Sequence, residues 1–261
     1  MNISWDAAKY TSQFSFVHQY GSALLDLIEG EGRSVLDLGC GNGALTRELA
    51  AQGHRAEGID ASGELLAIAR ANYPELCFRQ GDAVCFEAER PYDAVFSNAV
   101  FHWIEREKQP ELLAHVFRAL KPGGQFVFEF GGYGNNARIH AALAREFGRR
   151  GLAYQMPFYF PTVGEYACLL EKSGFLVKAA WLLDRPTELA GGDGLYDWIR
   201  MFVKTPFRGL DPALEEEIIR ASVSALRETL YHGGSWYADY VRLRCKAVRP
   251  LEKENEKEAI S

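Results

Sequence analysis

An aspartate followed by three alternating glycines is the part of this sequence best suited to bind a ligand. Asp37 ends a short apolar run, and Gly39, Gly41 and Gly43 follow it just before a segment with helical periodicity. Glycines adopt a positive φ without strain and let a ligand approach the backbone, since they have no Cβ. The N-terminus of the following helix presents free N–H groups to an anionic or polar ligand. The pattern therefore predicts a strand, a tight turn and a helix that together form a binding loop.

Polar residues end three further apolar segments. Asp60 follows the second segment, 21 positions after Gly39, a distance at which an acid can accept hydrogen bonds from ribose hydroxyls. Asp82 follows the third segment and Asn98 the fourth. Because an open parallel sheet binds its ligand at the carboxyl ends of its strands, we expect the four loops to form one site. Each residue alone could be a helix cap or a turn residue, but the repetition favours ligand binding.

The segments that position these residues alternate between strand and helix. Strand patterns occur at 34–38, 55–59, 76–80, 92–97 and 125–130, and helical patterns at 43–52, 63–72 and 107–119. Such alternation is typical of a parallel sheet with helices on both faces, connected by right-handed crossovers. The sequence therefore predicts an α/β fold with a doubly wound, mostly parallel sheet.

The segment Leu36–Gly43 resembles the first motif of the class I S-adenosylmethionine-dependent methyltransferases. A hydride-transferring dinucleotide fold would more often have its third glycine one residue later, where Ala44 stands. The wider similarity is carried by Asp60, Asp82, the run 97–103 and Leu120-Lys121-Pro122-Gly123-Gly124. Over nearly its whole length the chain more narrowly resembles the trans-aconitate methyltransferase-like branch, through Trp5…Tyr10, Phe101-His102-Trp103 and Tyr196-Asp197-Trp198.

The resemblance implies S-adenosylmethionine as cofactor and S-adenosylhomocysteine as product. Asp37 would face the ammonium, the glycines would lie along the methionine and ribose, and Asp60 would bind the ribose hydroxyls. Asp82 would accept the adenine amino group, and an N-terminal segment would fold over the cofactor. The predicted cofactor-binding residues are Tyr10, Gln13, Asp37, Gly39, Cys40, Gly41, Gly43, Asp60, Ala61, Asp82, Ala83, Asn98 and Ala99.

The resemblance also implies a seven-stranded, Rossmann-like sheet whose last strand is antiparallel. Strand patterns at 175–183 and 237–248 are about fifty residues apart, too far for a hairpin turn. The residues between them predict two helices, at 196–203 and 212–230, which we interpret as a lid. The predicted organisation is an N-terminal cap segment and helix (1–33), a cofactor-binding core (34–185), a helical lid insertion (186–234), a last strand completing the core sheet (235–250) and a charged tail (251–261).

Composition and charge disfavour nucleic-acid binding, metal binding and insertion into a membrane. A chain of 261 residues, nearly half of them hydrophobic, can bury one substantial core. A net charge of −6 disfavours a polyanion-binding surface. The five cysteines are scattered and the six histidines lack ligand spacing, which predicts reduced thiols and no metal site. No signal sequence or membrane span is evident. We therefore expect a cytoplasmic protein without nucleic-acid or membrane partners, with a monomer as the default.

The candidate substrate residues are His102, Trp103, Glu129, Tyr133 and Trp236. Glu129 and Tyr133 follow the fifth strand and so fall at the ligand edge of the sheet. The ordinary pKa of histidine suits proton transfer at neutral pH. Packing beside Trp103, without proton transfer, is the favoured interpretation of His102.

The predicted reaction is methyl transfer to a small molecule, because Asn98-Ala99-Val100-Phe101 departs from the motif of enzymes that methylate amino groups of nucleic acids and proteins. A carboxylate is ionised at neutral pH and needs no base, which favours O-methylation of an acid. The aconitate branch has an arginine before the proline of the lid linker, where Thr205 stands here. Arg200, Lys204 and Arg208 are substitutes for that carboxylate clamp. The alternatives are N- or C-methylation of an aromatic or quinone-like metabolite and a non-catalytic cofactor-binding module.

Overall fold

The computed structural model describes residues 23–251 and contains a central eight-stranded sheet within that range. The strands are β1 (Ser34–Leu38), β2 (Arg55–Asp60), β3 (Cys77–Gln80), β4 (Tyr92–Asn98), β5 (Leu120–Gly131), β6 (Leu176–Leu189), β7 (Tyr231–His232) and β8 (Ser235–Val248). The α-helices that follow β1 are α1 (Ala44–Ala51), α2 (Gly63–Asn72), α3 (Gln109–Ala119), α4 (Ala137–Arg149), α5 (Val163–Lys172), α6 (Gly194–Phe202) and α7 (Pro212–Leu230). Short 3₁₀ helices cover Phe101–Trp103, Arg106–Lys108 and Thr205–Phe207.

The order of the strands is β3-β2-β1-β4-β5-β8-β6, with β7 paired to β8. Strands β1 to β5 run parallel to one another, and β8 runs antiparallel to both β5 and β6. The predicted α/β fold, doubly wound and mostly parallel with an antiparallel last strand, is therefore confirmed. The chain leaves β1 toward β2 on one side and returns to β4 on the other. This reversal of strand order opens a crevice above the carboxyl ends of β1 and β4.

The largest differences from the predicted strands are in β5, β6 and β7. Strand β5 begins at Leu120 instead of 125, because Leu120 pairs with Tyr92 of β4. Strand β6 continues to Leu189 instead of ending at 183, because its hydrogen-bonded pairing with β8 extends to the partners Leu189 and Trp236. The two-residue strand β7 was not predicted. It pairs with the start of β8 across the turn formed by Gly233 and Gly234, and a strand of two residues is too short to have a periodic pattern.

Helix caps define where several helices begin. The Ser62 hydroxyl accepts a hydrogen bond from the backbone N–H of Leu65 at 3.3 Å and caps α2. The side chain of Asp211 accepts from the backbone N–H groups of Ala213 and Leu214 at the start of α7. Such caps satisfy N–H groups that have no partner within the helix, and each typically stabilises a helix by about 1 kcal/mol.

Apolar clusters cover both faces of the sheet. One face packs against α3 and α5 through buried aromatic side chains that include Phe101, Phe126, Phe128 and Tyr166. The opposite face buries Leu49 of α1 against Phe96 of β4 and Val127 of β5. Fully burying a side chain of this size stabilises the fold by about 1.5–3 kcal/mol relative to leaving it exposed. The sheet and its strand ends are therefore held rigidly.

A third cluster, the lid cluster, joins α4, α6 and α7 to the first part of β8. Its buried members include Leu143, Trp198, Ile218 and Trp236. The indole Nε1–H of Trp198 donates to the hydroxyl of Tyr240 at 2.6 Å and so connects the lid to the sheet. Within residues 23–251, no helix combines the length and the apolar character needed to cross a bilayer.

Candidate active site

A cavity of about 530 Å³ opens above the carboxyl ends of β1, β2, β3 and β4. All four loops predicted from the sequence contribute to its wall, because parallel strands end at the same edge of the sheet. The predicted residues that line this cavity are Asp37, Gly39, Cys40, Gly41, Asp60, Ala61, Asp82, Ala83, Asn98 and Ala99. Tyr10 and Gln13 lie outside the described residues.

The carboxylate of Asp60 orders the glycine loop. Its Oδ2 accepts the backbone N–H of Gly41 at 2.8 Å, and its Oδ1 accepts the N–H of Ser62 at 2.7 Å. A carboxylate oxygen can accept more than one hydrogen bond, so Asp60 can still accept from a ligand in the cavity. The side chain thus fixes the loop after β1 relative to the loop after β2.

Two of the glycines have different roles. Gly39 has φ +81°, and a Cβ at this position would lie 2.2 Å from Cγ2 of Val100, so only glycine fits. Gly43 does not line the cavity. It has φ +80° at the start of α1, where a Cβ would lie 2.7 Å from the ring of Phe78. Gly43 therefore permits close packing of the helix, and its expected contact with the cofactor stays a prediction.

Two buried carboxyl groups, Asp37 and Asp60, can make the cavity negatively charged when they ionise. Burial raises the pKa of Asp37 to about 7, although the Thr46 hydroxyl, which donates to Asp37 Oδ2 at 2.6 Å, opposes the shift. Burial also raises the pKa of Asp60, while the hydrogen bonds from Ser62 and Gly41 oppose that shift. A cationic group in the cavity would favour the ionised form of both carboxyls.

Tight turns shape the far wall of the cavity. The Asp82 carboxylate accepts the backbone N–H of Val84 at 3.0 Å, so it orders the turn after β3. Ala99 has φ +62°, which is uncommon for a residue other than glycine, and its N–H donates to the carbonyl of Glu129 at 2.7 Å. This strained turn ends β4 abruptly and directs the following residues across the mouth of the sheet.

A second, smaller cavity of about 40 Å³, which we call the aromatic chamber, shares Ala99 and Trp103 with the large cavity. On this measure it has room for roughly three water molecules, so a small polar group fits. The residues lining the chamber are Ala99, His102, Trp103, Asn135, Asn136, Phe158, Phe160, Trp198, Phe202, Tyr240 and Arg242. They come from the loops after β4 and β5, the segment before α5, the lid helix α6, and β8.

His102 is held in one neutral form within the chamber wall. Its Nδ1 accepts the backbone N–H of Gly131 at 3.3 Å, so the ring proton of the neutral form is on Nε2. Burial lowers the pKa of His102 well below its usual value, and the positive charge of Arg242 adds to this shift. A neutral imidazole with its acceptor nitrogen already engaged is poorly suited to remove a proton from a substrate.

Arg242 is the buried cation of the chamber. It lies on β8 opposite Gly131 of β5 and is only 7% exposed. Its guanidinium stacks 4.4 Å from the centroid of the Tyr240 ring, which fixes its orientation. A guanidinium in such surroundings is suited to bind a carboxylate through two parallel hydrogen bonds.

Three predicted pocket residues line neither cavity. Glu129 is buried in ion pairs with Arg185 and Arg244, because β8 places a cation directly opposite it. Tyr133 is 64% exposed on the turn after β5. Trp236 packs in the lid cluster and donates its indole N–H to the carbonyl of Gly192 at 3.0 Å. The predicted clamp candidates Arg200, Lys204 and Arg208 are exposed and line neither cavity, and the same is true of Thr205, which stands where the aconitate branch has its arginine.

Sequence reasoning missed seven chamber residues, which are Asn135, Asn136, Phe158, Phe160, Phe202, Tyr240 and Arg242. Trp198 belongs both to the lid cluster and to the chamber wall. One signal for Arg242 was present, since cations occupy alternate positions of the last strand at Arg242, Arg244 and Lys246. Alternation indicates a shared face but not which of the three meets a cavity.

Comparisons with known proteins agree with this geometry. A methyltransferase-domain family model matches residues 35–124. An uncharacterised methyltransferase of Schizosaccharomyces pombe is 32% identical over 92% of this chain and 96% of its own length. A trans-aconitate 2-methyltransferase of Deinococcus radiodurans is 31% identical over 83% of this chain and 86% of its own. The solved structure of a methyltransferase from Methanosarcina mazei has a TM-score of 0.57 and 17% identity, covering 88% of this chain and 98% of the other.

Proposed function

The chain belongs to the class I S-adenosylmethionine-dependent methyltransferases, and we propose that it transfers the methyl group to a carboxylate of a small molecule. Membership rests on relatives more than 30% identical over most of both chains. The protein is therefore an enzyme, and the alternative of a non-catalytic module is set aside. One of these relatives carries a name that denotes methylation of a carboxylic acid. That similarity supports the substrate class proposed here.

The residues of the large cavity fit the cofactor. Gly39 and Gly41 line the large cavity without side chains of their own, and the cavity volume suits a nucleoside with an amino-acid chain. Asp60 would hold the ribose, Asp82 and Ala83 the adenine, and Asp37 the ammonium. When bound, the cofactor supplies a methyl group on a positively charged sulfur, which a nucleophile attacks in line.

The observation that best supports a carboxylate as methyl acceptor is the position of Arg242 in the aromatic chamber. A buried guanidinium attracts an anion strongly, and the aromatic walls exclude water that would otherwise weaken the attraction. Since the chamber and the large cavity share Ala99 and Trp103, an acid bound by Arg242 would lie next to the cofactor. The enzyme would act mainly by positioning the acid in a dry site.

Methyl transfer to a carboxylate requires no general base, which agrees with the neutral, hydrogen-bonded state of His102. One carboxylate oxygen forms a bond to the methyl carbon, the carbon–sulfur bond breaks, and its electron pair stays on sulfur. No proton is transferred, because the acid is already ionised at neutral pH. An amine or phenol would have to lose a proton, and His102 offers no free acceptor nitrogen for it, since Nδ1 is bonded to Gly131.

Product analysis tests the proposal. The protein is incubated with S-adenosylmethionine and separate panels of small carboxylic acids, amines, phenols and quinols, and S-adenosylhomocysteine is quantified. We expect turnover with acids, and a methylated product that base hydrolyses to methanol. A base-stable methyl product formed from an amine, phenol or quinol, with no turnover of acids, would instead support N- or C-methylation or a phenol ether.

Arg242→Gln provides the test of the anchor. Hydrogen bonds to charged groups contribute about 1.5–3 kcal/mol, so kcat/KM for the acid should fall roughly 10- to 150-fold. Arg208→Gln, a change at an exposed lid residue, is the matched control and should leave kcat/KM unchanged. Calorimetric titration with S-adenosylmethionine shows whether each variant is folded. An Arg242→Gln enzyme that binds cofactor normally and turns over acids at the original rate would contradict the assigned anchor.

A further inference from the structure

Asn136 is a buried polar residue in the wall of the aromatic chamber. The proposed methyl transfer gives it no role. The side chain is 1% exposed, and its Oδ1 has no hydrogen-bond partner among the described residues. The same residue lines the chamber together with Arg242. A buried carbonyl oxygen without a donor is unfavourable, and such groups in folded proteins call for a specific explanation.

The backbone holds this side chain in an uncommon position. Asn136 has φ +53° and ψ +31°, in the left-handed region, and its N–H donates to the carbonyl of Asp239 on β8 at 2.8 Å. The residue stands at the N-cap of α4, where an asparagine side chain ordinarily accepts from a backbone N–H of the first turn. Here the side chain makes no capping hydrogen bond. Helix capping therefore does not account for the asparagine.

The neighbouring asparagine shows what a purely structural role looks like in the same turn. Asn135 Oδ1 accepts the backbone N–H of Val241 at 2.9 Å, which ties the turn to β8. Asn136 makes no equivalent contact through its Oδ1, although it is just as buried. Asn135 therefore fixes the loop, whereas Asn136 lines the chamber and has a buried Oδ1 without a donor among the described residues.

We propose that Asn136 determines substrate specificity by accepting a hydrogen bond from a hydroxyl or N–H group of the methyl acceptor. The inference rests on the proposed function and narrows its substrate class to carboxylic acids that also carry a donor near the carboxylate. Arg242 binds the anionic group, and Asn136 pairs with the donor. An acid without that donor leaves Oδ1 buried and unpaired, so the enzyme discriminates against it.

Matched pairs of acids that differ only in the donor test this assignment. The probes are succinate with malate and 3-phenylpropionate with 3-phenyllactate, each assayed for methyl ester with saturating S-adenosylmethionine. For pairs that are turned over, we expect the wild-type enzyme to favour the hydroxy acid about tenfold in kcat/KM. In Asn136→Gly the ratio should fall to about one, because turnover of the hydroxy acid drops.

Asn136→Gly is the suitable variant because glycine adopts φ +53° without strain. Asn136→Ala, which keeps a Cβ, is the second variant and should give the same loss of selectivity. Calorimetric affinity for S-adenosylmethionine should stay at the wild-type value in both variants, which shows that the fold is intact.

The outcomes distinguish the proposed role of Asn136 from the proposal that the substrate is a carboxylic acid. If acids are methylated but the ratio is near one in the wild type, or is the same in both variants, the role of Asn136 is refuted and the carboxylate proposal stands. If cofactor binds and no carboxylic acid of the full panel is methylated, the carboxylate proposal itself fails. A ratio that collapses in both variants, with cofactor affinity retained, supports the assignment.

Discussion

The backbone N–H of Gly131, the last residue of β5, donates to Nδ1 of His102 at 3.3 Å. This contact sets the tautomer of the imidazole and occupies the nitrogen that a general base would use. Burial, reinforced by the charge of Arg242, lowers the pKa of His102 well below its usual value. His102 is thus a neutral part of the chamber wall across the physiological pH range.

We expect kcat/KM for the acid, measured with saturating cofactor, to show no ionisation of His102 between about pH 6 and 9. A lowered pKa means that the ring is already neutral at the acidic end of this window. His102→Asn should reduce the rate less than tenfold, whereas removal of a true general base typically costs about 10²–10⁴-fold. Rate profiles over pH for both proteins provide the measurement. An inflection near pH 6.5 that vanishes in the variant would show proton transfer by His102.

Affinity for S-adenosylmethionine should increase as pH rises toward 7 and then level off. The pKa of Asp37 is raised to about 7, so in the free protein this carboxyl is protonated below that pH. A bound ammonium favours the ionised form, so binding below pH 7 releases a proton and loses up to about tenfold in affinity per pH unit. Calorimetry in buffers of different ionisation enthalpy measures the released proton directly.

Variants of Asp37 and Thr46 test the origin of that dependence. Asp37→Asn should bind more weakly and lose the dependence on pH. Thr46→Val removes the hydroxyl that donates to Asp37, and it should move the inflection to higher pH because that bond lowers the pKa. Equal pH profiles in the wild type and Asp37→Asn would assign the effect to another group.

Gly39→Ala should both destabilise the fold and weaken cofactor binding. The left-handed backbone costs a residue with a Cβ about 1–2 kcal/mol, and the contact with Val100 adds overpacking of about 1–3 kcal/mol. Gly53→Ala is the matched control, because Gly53 has φ +88° but nothing lies within 4 Å of its Cβ position. The free energy of unfolding in urea and cofactor affinity are the readouts.

A second-site change separates the two contributions at Gly39. In Gly39→Ala with Val100→Ala the methyl groups nearest the new Cβ are gone, and Cβ of residue 100, at 3.1 Å, is the nearest remaining atom of that side chain, so most of the overpacking should be relieved. The double variant should therefore be more stable than the sum of the two single changes predicts. If the double variant is no more stable than Gly39→Ala, contact with Val100 is not the cause.

Glu129→Gln should destabilise the protein by about 3–5 kcal/mol, because it leaves the buried charges of Arg185 and Arg244 without their shared carboxylate. Cofactor affinity of the folded fraction should be unchanged, since Glu129 lines neither cavity. Glu89→Gln is the control. It removes an ion pair between Arg79 and Glu89, and because the Glu89 side chain is 73% exposed, the free energy of unfolding should change far less. Urea denaturation of both variants measures the difference. A Glu129→Gln protein as stable as the Glu89→Gln protein would contradict this account.

The sequence determined which loops line the large cavity because the relevant signals are local. Asp37 and the glycines identify a strand, a turn and a helix within about ten residues. Asp60 and Asp82 likewise occur where an apolar strand pattern ends. Parallel strands joined by right-handed crossovers end at one edge of the sheet, so residues far apart in the chain converge without further information. The convergence of these loops on one cavity could therefore be predicted from the sequence, and their contacts with the cofactor stay a prediction.

Only the tertiary structure decided which residues line the aromatic chamber. Alternation along β8 places Arg242 and Arg244 on one face, yet the register with β5 sets Arg244 against Glu129 and leaves Arg242 opposite Gly131 at the chamber. The chamber also requires the lid to pack over β8 and the loop carrying Asn136 to hydrogen-bond with it. Strand register and packing between distant segments depend on the free energy of the whole fold and leave no periodic trace in the sequence.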